Sequence, residues 1–448
     1  MTEKRKDQLE SELSTNFADN NTGAITPQIY RDYMTNVMDS YSIRTAADTT
    51  YYVSSTGSDS NTGLGSGDDE AMLTMQAALA KVPKNIDHDI VISVAAGTLD
   101  GFAVIGYWLG ADATDEGSLT IQGTLGSPTL GGGTSTGTAT SGGTTDVTDT
   151  GQAWVSNELT GMLCLVDSEY RVVKSNTSTK ISLASAYSAG TSGKAYAVLE
   201  PKTVFNTLDG HSASSVVYMA ACITGASDRL TVQNIDIQAP ASAATGFYAN
   251  NSGGFTFTNA QVSCASAGGY GVLLKNISSG YVLTELYVED SFTEAGIGLL
   301  YNSGRNGTFR AFVDAVTGHG MLVQASEAIE AIDVSAISCG GSGLRVKDCQ
   351  YVGVNRFFLQ LCGADGMRAS NSRIEIFSAT AALGNTGHGV NLLRRVTLDF
   401  VNGQTVSGTV GDISIGGVTK DWSDDWSADG DQVIDANLGI IAKRDDSL

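Results

Sequence analysis

The chain has 448 residues, of which 53 are glycine and only 5 are proline. Glycine above the average usage of about 7%, with 42% apolar residues, indicates a folded, β-rich protein and excludes collagen and global disorder. The formal charge of −22 disfavours nucleic-acid binding, because phosphate backbones repel an acidic surface.

Residues 1–46 differ in composition from the rest of the chain. The first ten residues are densely charged and lack the apolar region of a signal peptide.

The most apolar run, residues 91–111, is interrupted by Asp100 and is rich in glycine, so it does not give the uninterrupted apolar stretch of a transmembrane helix. We therefore expect synthesis in a cytoplasm and no insertion into a membrane.

A short amphipathic helix is predicted at residues 27–41. Thr26 suits the N-cap, and Pro27 suits the first helical position, where a missing N–H costs nothing. The apolar stripe consists of Ile29, Tyr33, Val37 and Met38. So short a helix needs a partner, which is another copy, a larger assembly or the protein's own shaft.

Residues 47–125 are interpreted as a cap and the first coils of a solenoid. A strand begins at Tyr51, and residues 68–81 are predicted to form a helix whose acidic start suits a helix N-terminus. A second strand follows at residues 90–95. The helix is expected to cover the open end of the coil stack.

Residues 126–200 are interpreted as an insertion. Residues 126–151 are rich in Gly, Thr and Ser, which predicts a loop or linker. From residue 154 to 199 apolar and polar residues alternate without a longer repeat. That pattern is typical of a small antiparallel β structure.

A repeat organises residues 201–420. A glycine followed by an apolar-x-apolar triplet recurs at intervals of 25, 25, 24, 23, 23 and 23 residues, and one further glycine follows after 22. The glycines are Gly246, Gly271, Gly296, Gly320, Gly343, Gly366, Gly389 and, with a broken triplet, Gly411. Most repeats carry a second apolar run upstream, bounded by Gly, Ser, Asn and Asp.

This period predicts an all-β fold, a parallel β-helix solenoid. About 23 residues hold two or three short strands but no crossover helix, which excludes helical and βαβ repeats. Successive coils stack ~4.8 Å apart, so equivalent positions become neighbours. The glycines are expected at corners that need a positive φ or a tight bend.

The six cysteines form no C-x-x-C pair and no zinc-like spacing with histidine. Cys339 and Cys362 both lie four residues before a repeat glycine, which predicts buried thiols stacked on adjacent coils. No metal site and no cofactor are expected.

The candidate catalytic residues are Asp290, Asp314 and Glu289. Asp290 and Asp314 each lie six residues before their glycine, which predicts a stack on adjacent coils with Glu289 beside it. Glycoside hydrolysis needs two carboxyl groups about 5 Å or ~6.5–9.5 Å apart. The alternative is coincidence, since the chain has 48 acidic residues.

Other polar pairs in the repeat are expected to be structural. Asp236 and Asp333 share an offset ten residues before the glycine but lie four coils apart. His319 and His388 each precede a repeat glycine and lie three coils apart, about 14 Å. We interpret the two histidines as polar corner residues.

Residues 421–448 are interpreted as a C-terminal cap. The run 421–431 combines five carboxylates with Trp422 and Trp426, which are the candidate glycan-binding residues. Aromatic rings and carboxylates can together bind sugars, and the carboxylate oxygens can bind Ca²⁺. The simpler alternative is that the tryptophans cover the last coil.

Two segments carry a resemblance to a known class of protein. The run FADNNTGAITPQIYRDY, residues 17–33, resembles the N-terminal module of bacteriophage tailspikes, tail fibres and related virion proteins. Residues 51–79 resemble the entry motif of right-handed parallel β-helix proteins of the pectate-lyase-like class. The chain departs from that class in ending at Leu448 soon after the last coil, without the long C-terminal β domain of many tailspikes.

The resemblance implies a phage virion protein assembled in the host cytoplasm. It implies a homotrimer that attaches to other virion proteins through residues 1–46 and presents its β-helix to a host cell-surface glycan. Two alternatives remain open: a polysaccharide depolymerase, either a hydrolase or a lyase, and a head-decoration spike.

Overall fold

The structure is a computed structural model. It describes residues 45, 47–109, 117–211, 214–224, 229–241, 245–265, 268–278, 280–303, 307–331, 333–354, 356–376, 381–393, 396–400, 404–408, 411–416 and 426–428. Three predicted features lie outside the described residues: the helix at residues 27–41, the attachment segment at 1–46 except for residue 45, and the side chains of the C-terminal cap.

The described residues form short strands and one helix, α1 (Met75–Lys81). In chain order the strands are β1 (Thr49–Val53), β2 (Asn85–Ile86), β3 (Ile90–Val94), β4 (Gly97–Leu99), β5 (Phe102–Ile105), β6 (Trp108–Leu109), β7 (Leu119–Gln122), β8 (Leu125–Gly126), β9 (Thr136–Thr138), β10 (Asp146–Thr148), β11 (Leu163–Val166), β12 (Glu169–Asn176), β13 (Lys180–Leu183), β14 (Ala195–Pro201), β15 (Thr203–Phe205), β16 (Ser215–Ala220), β17 (Ile223–Thr224), β18 (Leu230–Gln233), β19 (Ile235–Ala239), β20 (Thr245–Asn250), β21 (Thr256–Cys264), β22 (Gly268–Lys275), β23 (Tyr281–Glu289), β24 (Phe292–Leu300), β25 (Gly307–Asp314), β26 (His319–Gln324), β27 (Ala328–Ala331), β28 (Asp333–Ile337), β29 (Leu344–Lys347), β30 (Tyr351–Val354), β31 (Phe357–Gln360), β32 (Met367–Ser370), β33 (Arg373–Ile376), β34 (Ala381–Asn385), β35 (His388–Leu393), β36 (Thr397–Phe400), β37 (Gln404–Gly408), β38 (Gly411–Gly416) and β39 (Trp426–Ala428).

Two long parallel sheets form a β-helix of about ten coils, which confirms the predicted fold class. The first, here the long sheet, runs β1-β3-β7-β18-β21-β23-β25-β28-β31-β34-β37-β39, with β4, β15 and β19 beside this path. The second, here the ten-stranded sheet, runs β5-β16-β20-β22-β24-β26-β29-β32-β35-β38. Two smaller parallel sheets complete the coils, β17-β6-β2 and β27-β30-β33-β36. Among the described residues, no helix has the length and apolar character needed to cross a membrane.

The glycine repeat sets the register of the ten-stranded sheet. The first apolar residue of each triplet pairs with its equivalent on the next coil, forming the column Phe247, Val272, Ile297, Met321, Leu344, Met367 and Val390. Side chains of this column are at most 5% exposed, so they belong to the core. Gly411 pairs with His388, one residue out of step, because Ile413 takes the next place in the column.

The reason for the repeat glycines is close packing and not a positive φ. A Cβ on Gly271 would lie 2.4 Å from Cγ1 of Val288 and 2.7 Å from the carbonyl oxygen of Gly296. The same collision recurs at Gly246, Gly296 and Gly320. The expectation of a glycine-specific backbone at these positions is therefore wrong, since the neighbouring coil leaves no room for a side chain.

Positive φ occurs instead at a column of non-glycine corner residues. They follow directly after the strands of the ten-stranded sheet and have φ values from 49° to 58°: Asn251, Asn276, Tyr301, Ala325, Asp348 and Asn371. Asparagine tolerates this left-handed conformation better than most residues. Neighbouring members also bond across coils, as where Asn371 donates to Asp348 (2.8 Å).

The N-terminal helix is shorter than predicted. It begins at Met75 and not at residue 68, because Met72 forms a parallel bridge with Val53. The hydroxyl of Thr74 then accepts the N–H of Ala77 (3.1 Å) as the N-cap. Asp59 fixes this start by accepting the N–H of Thr74 (2.8 Å).

The insertion is an antiparallel sheet of seven strands, β10-β13-β12-β11-β14-β8 with β9 beside β14. Two of them, β9 and β10, lie in the segment predicted to be a linker. The sheet has a core of its own, which includes Val147, Trp154, Val173 and Val198. The predicted antiparallel β structure is therefore present, and the Gly- and Thr-rich segment contributes to it.

All six cysteines are free and buried. The thiols of Cys339 and Cys362 contact each other on neighbouring coils, and the two residues are 1% and 0% exposed. The predicted inward stack of these two thiols is thereby confirmed.

Candidate functional site

The insertion packs on the outer face of the long sheet. Leu163 and Val172 of the insertion contact Tyr287 and Phe312 of the shaft in one buried apolar cluster. Gly161 lies against Tyr287 so closely that a Cβ would be 2.2 Å from the ring, and its φ of +82° also favours glycine. The docking therefore requires a residue without a side chain at position 161, against the ring of Tyr287.

A buried ion cluster fixes the same interface. The carboxylate of Glu285 on β23 accepts the backbone N–H of Val172 (3.1 Å) and pairs with Arg171 (3.4 Å) and Arg310 (2.8 Å). Its side chain is 5% exposed. Glu285 has a positive φ of 51°, at the register shift between β23 and β25. Since every charge here has a partner, the role of this cluster is structural.

Three further carboxylates lie where the insertion meets the shaft, and we call Asp236, Glu289 and Asp314 the carboxylate row. Glu289 and Asp314 are register partners on β23 and β25. Their backbones are therefore ~4.8 Å apart. Asp236 lies on β19 and is the register partner of Gln261, which in turn pairs with Tyr287. The row thus spans several coils of the long sheet.

Hydrogen bonds orient the carboxylates of the row. The hydroxyl of Tyr287 donates to Glu289 (2.7 Å), and the side-chain amide of Gln238 donates to Asp236 (2.6 Å). Lys174 of β12 lies over the ring of Phe358 at 3.5 Å from its centre and is close enough to Asp314 to affect its charge. The insertion thus supplies a cation at one end of the row.

The electrostatics of the row favour protonated carboxyl groups. Burial raises the pKa of Asp236 to about 6, and the negative charges of Glu289 and Glu200 add to this effect. Burial also raises the pKa of Glu289, with contributions from Asp290 and Asp314. Burial raises the pKa of Asp314 as well, whereas Lys174 opposes that shift.

The structure corrects one of the predicted positions. Asp290 does not stack on Asp314, because five residues separate Glu289 from Ala295 whereas four separate Asp314 from His319, the register partner of Ala295. Counting back from the glycine therefore shifts the register by one residue. Asp290 occupies the corner position with φ +78°, followed on the next coil by Ala315 with φ +53°. Glu289 takes the place predicted for Asp290.

Sequence reasoning missed the contributions of Asp236 and Lys174. The repeat offset relates Asp236 to Asp333, four coils away, whereas the charges that act on Asp236 are those of Glu289 and Glu200. Lys174 had no signal in the repeat, since it belongs to the insertion. Trp422 lies outside the described residues, and for Trp426 only the backbone, in β39, is described.

The histidines near the repeat glycines have polar partners. The Nδ1 atom of His319 accepts the backbone N–H of Ser342 (2.9 Å), and His388 pairs with Asp365 (3.3 Å). Among the described residues, no group of three His, Cys, Asp or Glu side chains is arranged to hold a metal ion.

The carboxylate row has the groups that acid–base chemistry on a saccharide needs. A carboxyl with a pKa near 6 can donate a proton, while a neighbouring ionised carboxylate accepts one or attacks. The backbone spacing of Glu289 and Asp314, ~4.8 Å, is compatible with the closer of the two carboxyl separations used in glycoside hydrolysis. The same groups can also accept hydrogen bonds from sugar hydroxyls.

Comparison with known proteins gives only remote similarity. No protein-family model and no curated protein sequence matches the chain. Solved structures similar to it include tailspike protein 2 of the Escherichia coli O157:H7 bacteriophage CAB120, at 9% identity and a TM-score of 0.38, covering 81% of this chain and 40% of that one. The tailspike of Pseudomonas phage LKA1 is similar at 12% identity and a TM-score of 0.22, covering 86% and 72%. A GH136 lacto-N-biosidase from Eubacterium ramulus is similar at 11% identity and a TM-score of 0.28, covering 94% and 74%.

Proposed function

We propose that this protein is the glycan-binding β-helix of a phage appendage and that saccharide binds along the carboxylate row. The observation that carries the proposal is the difference in ion pairing between Glu285 and the carboxylate row. Glu285 is paired with two arginines, whereas Asp236, Glu289 and Asp314 form no ion pair within 4 Å among the described side chains. Partly buried, unpaired carboxylates reduce stability, so their presence favours a role in binding.

A second candidate function is cleavage of the bound glycan. The raised pKa of Asp236, about 6, suits a general acid, and Glu289 or Asp314 would serve as base or nucleophile. Lys174 keeps Asp314 more readily ionised than burial alone would allow, because its positive charge stabilises the carboxylate. This division of roles requires the insertion in its docked position.

Incubation of the purified protein with host capsule or lipopolysaccharide tests both functions. We expect retention of the polysaccharide by the wild-type chain, and Glu289→Gln with Asp314→Asn should weaken it by about tenfold or more, since two acceptors are lost. If the row cleaves, new reducing ends or unsaturated products appear and the double variant abolishes them. Asp167→Asn, an exposed carboxylate of the insertion, is the matched control and should bind normally.

Binding that is unchanged in the double variant would remove the carboxylate row from the proposal. Binding without new ends would assign the row to recognition alone.

Attachment to a particle, a homotrimer and the role of residues 1–46 are the parts of this proposal that rest on the N-terminal resemblance. Immunogold labelling of intact particles tests them by position. We expect label at the tail. Label on the head would favour a decoration spike, and unlabelled particles would contradict the virion assignment.

A further inference from the structure

A second column of side chains runs along the outer face of the ten-stranded sheet. It alternates with the buried column of the triplets and is formed by Tyr218, Tyr248, Leu273, Gly298, Leu322, Arg345, Arg368 and Asn391. Each step is ~4.8 Å, so the column has aromatic rings at one end and two arginines near the other, while Leu273 and Leu322 between them are only 9% and 6% exposed. The rings of Tyr218 and Tyr248 contact each other, with their centroids 5.4 Å apart.

The two arginines are unusual neighbours. Arg345 and Arg368 are register partners on adjacent strands, so two permanent positive charges are stacked in a chain with a net charge of −22. Neither forms an ion pair within 4 Å with a described carboxylate. Like charges directly opposite each other destabilise a sheet. A negatively charged ligand between the two guanidinium groups would remove that cost.

His319 adds a third donor to the same place. Its Nδ1 accepts the N–H of Ser342 (2.9 Å), so the neutral ring carries its proton on Nε2. That Nε2 lies 2.9 Å from Nη1 of Arg345, which is also a donor. Two donors face each other, and an acceptor that both can reach would satisfy them.

Two further polar atoms near the arginines are unsatisfied. The hydroxyl of Ser342 and the Oδ1 atom of Asn391 are buried and have no hydrogen-bond partner among the described atoms. Asn391 follows Arg368 in the column, and its amide nitrogen donates to Asp365 (3.0 Å). A hydroxyl-bearing ligand could donate to Oδ1 of Asn391.

We propose that Arg345, Arg368 and His319 form an anion subsite for the carboxylate or sulfate group of an acidic saccharide whose chain extends along the column toward Tyr248. The arginines bind the acidic group by charge-assisted hydrogen bonds, and the tyrosine rings offer faces for the sugar. The inference depends on the proposed function only in taking a saccharide as the ligand. The subsite lies on the ten-stranded sheet, whereas the carboxylate row lies on the long sheet.

Calorimetric titration of the full chain with hexagalacturonate, maltohexaose and inorganic sulfate tests the subsite. We expect hexagalacturonate to bind about tenfold or more tightly than neutral maltohexaose and than sulfate. The double variant Arg345→Gln with Arg368→Gln should lose about tenfold or more of this affinity. The matched control is Lys180→Gln with Lys194→Gln, which removes two positive charges from the insertion and should bind hexagalacturonate as the wild type does.

Three results would overturn the inference: equal affinity for the acidic and the neutral hexasaccharide, unchanged binding by the double arginine variant, or sulfate binding as tight as hexagalacturonate. The last would assign the subsite to a free anion. Should the double variant not fold, Arg368→Gln alone carries the same expectation, because that side chain is exposed.

A second readout reports on His319 directly. Burial, with the charges of Arg345 and Arg368, lowers its pKa to about 4. A bound anion stabilises the imidazolium, so saturating hexagalacturonate should raise the pKa followed by the ring proton resonance. An unchanged pKa would contradict contact with His319. The neutral hexasaccharide separates failure of this subsite from failure of the carboxylate row, because the arginines require an acidic group whereas the row accepts hydrogen bonds from sugar hydroxyls.

Discussion

At the scale of single residues, Asp236 shows how the fold changes the chemistry of a carboxyl group. The side chain accepts one hydrogen bond from Gln238, yet burial and the charges of Glu289 and Glu200 raise its pKa to about 6. The unfolded value is about 3.9. Folding therefore favours the protonated form, and the stability that this group contributes is present below pH 4 and is lost as pH rises through 6.

The variant Asp236→Asn should remove this pH dependence. At pH 8 we expect its free energy of unfolding to exceed that of the wild type by up to about 3 kcal/mol, from a shift of roughly two pKa units. At pH 3.5 the difference should be close to zero. Urea unfolding at the two pH values measures it, and a variant advantage that does not grow with pH would contradict the assignment.

At the scale of elements, neighbouring coils determine which residues are tolerated. The strands of the ten-stranded sheet pass so close to the long sheet at the repeat glycines that a Cβ on Gly271 would meet both Val288 and the backbone of Gly296. Corner residues such as Asn276 instead accept a positive φ in exchange for hydrogen bonds between coils, here a donation to Asn250 (3.3 Å).

Gly271→Ala should therefore destabilise the protein by overpacking and not by backbone strain. We expect a loss of about 1–3 kcal/mol in the free energy of unfolding, measured in urea. Gly190→Ala is the control, because its Cβ would meet only one atom, at 3.6 Å, and its φ is not positive. The packing explanation fails if the two variants are equally stable.

At the scale of the whole molecule, the insertion is a separate unit that docks on the shaft. Its entry and exit strands are adjacent, since Gly126 pairs with Glu200 and Leu125 pairs with Pro201. It has its own core, but it also covers Tyr287 and Phe312, which are 5% and 1% exposed. We therefore expect the β-helix to close without the insertion, at the cost of an uncovered apolar face.

Replacing residues 127–199 with an Asn-Gly turn should leave the β-helix folded, because that dipeptide suits a two-residue connection between antiparallel strands. We expect the far-ultraviolet circular dichroism of a β-sheet protein together with greater fluorescence of a dye that binds apolar surface, since Tyr287 and Phe312 become exposed. An unfolded product would show that the shaft depends on the insertion for folding.

The period of the glycine triplets was sufficient to predict the parallel β-helix and the core column from Phe247 to Val390, because stacked coils repeat one set of contacts. The alternation of residues 154–199 likewise predicted an antiparallel insertion, and the spacing of Cys339 and Cys362 predicted their contact. These features depend on local pattern and on neighbouring coils.

Two kinds of feature were decided only by the tertiary structure. One extra residue between Glu289 and Ala295 places Glu289, and not Asp290, opposite Asp314, and counting from the glycine cannot detect where in a coil a residue is added. The docking of the insertion brings Lys174 near Asp314, and the stacking of coils brings Asp236 within electrostatic range of Glu289, although these residues are far apart in the chain. A repeat determines which residues stack, whereas pKa shifts and ligand contacts depend on what covers the stack, and that is a property of the folded surface.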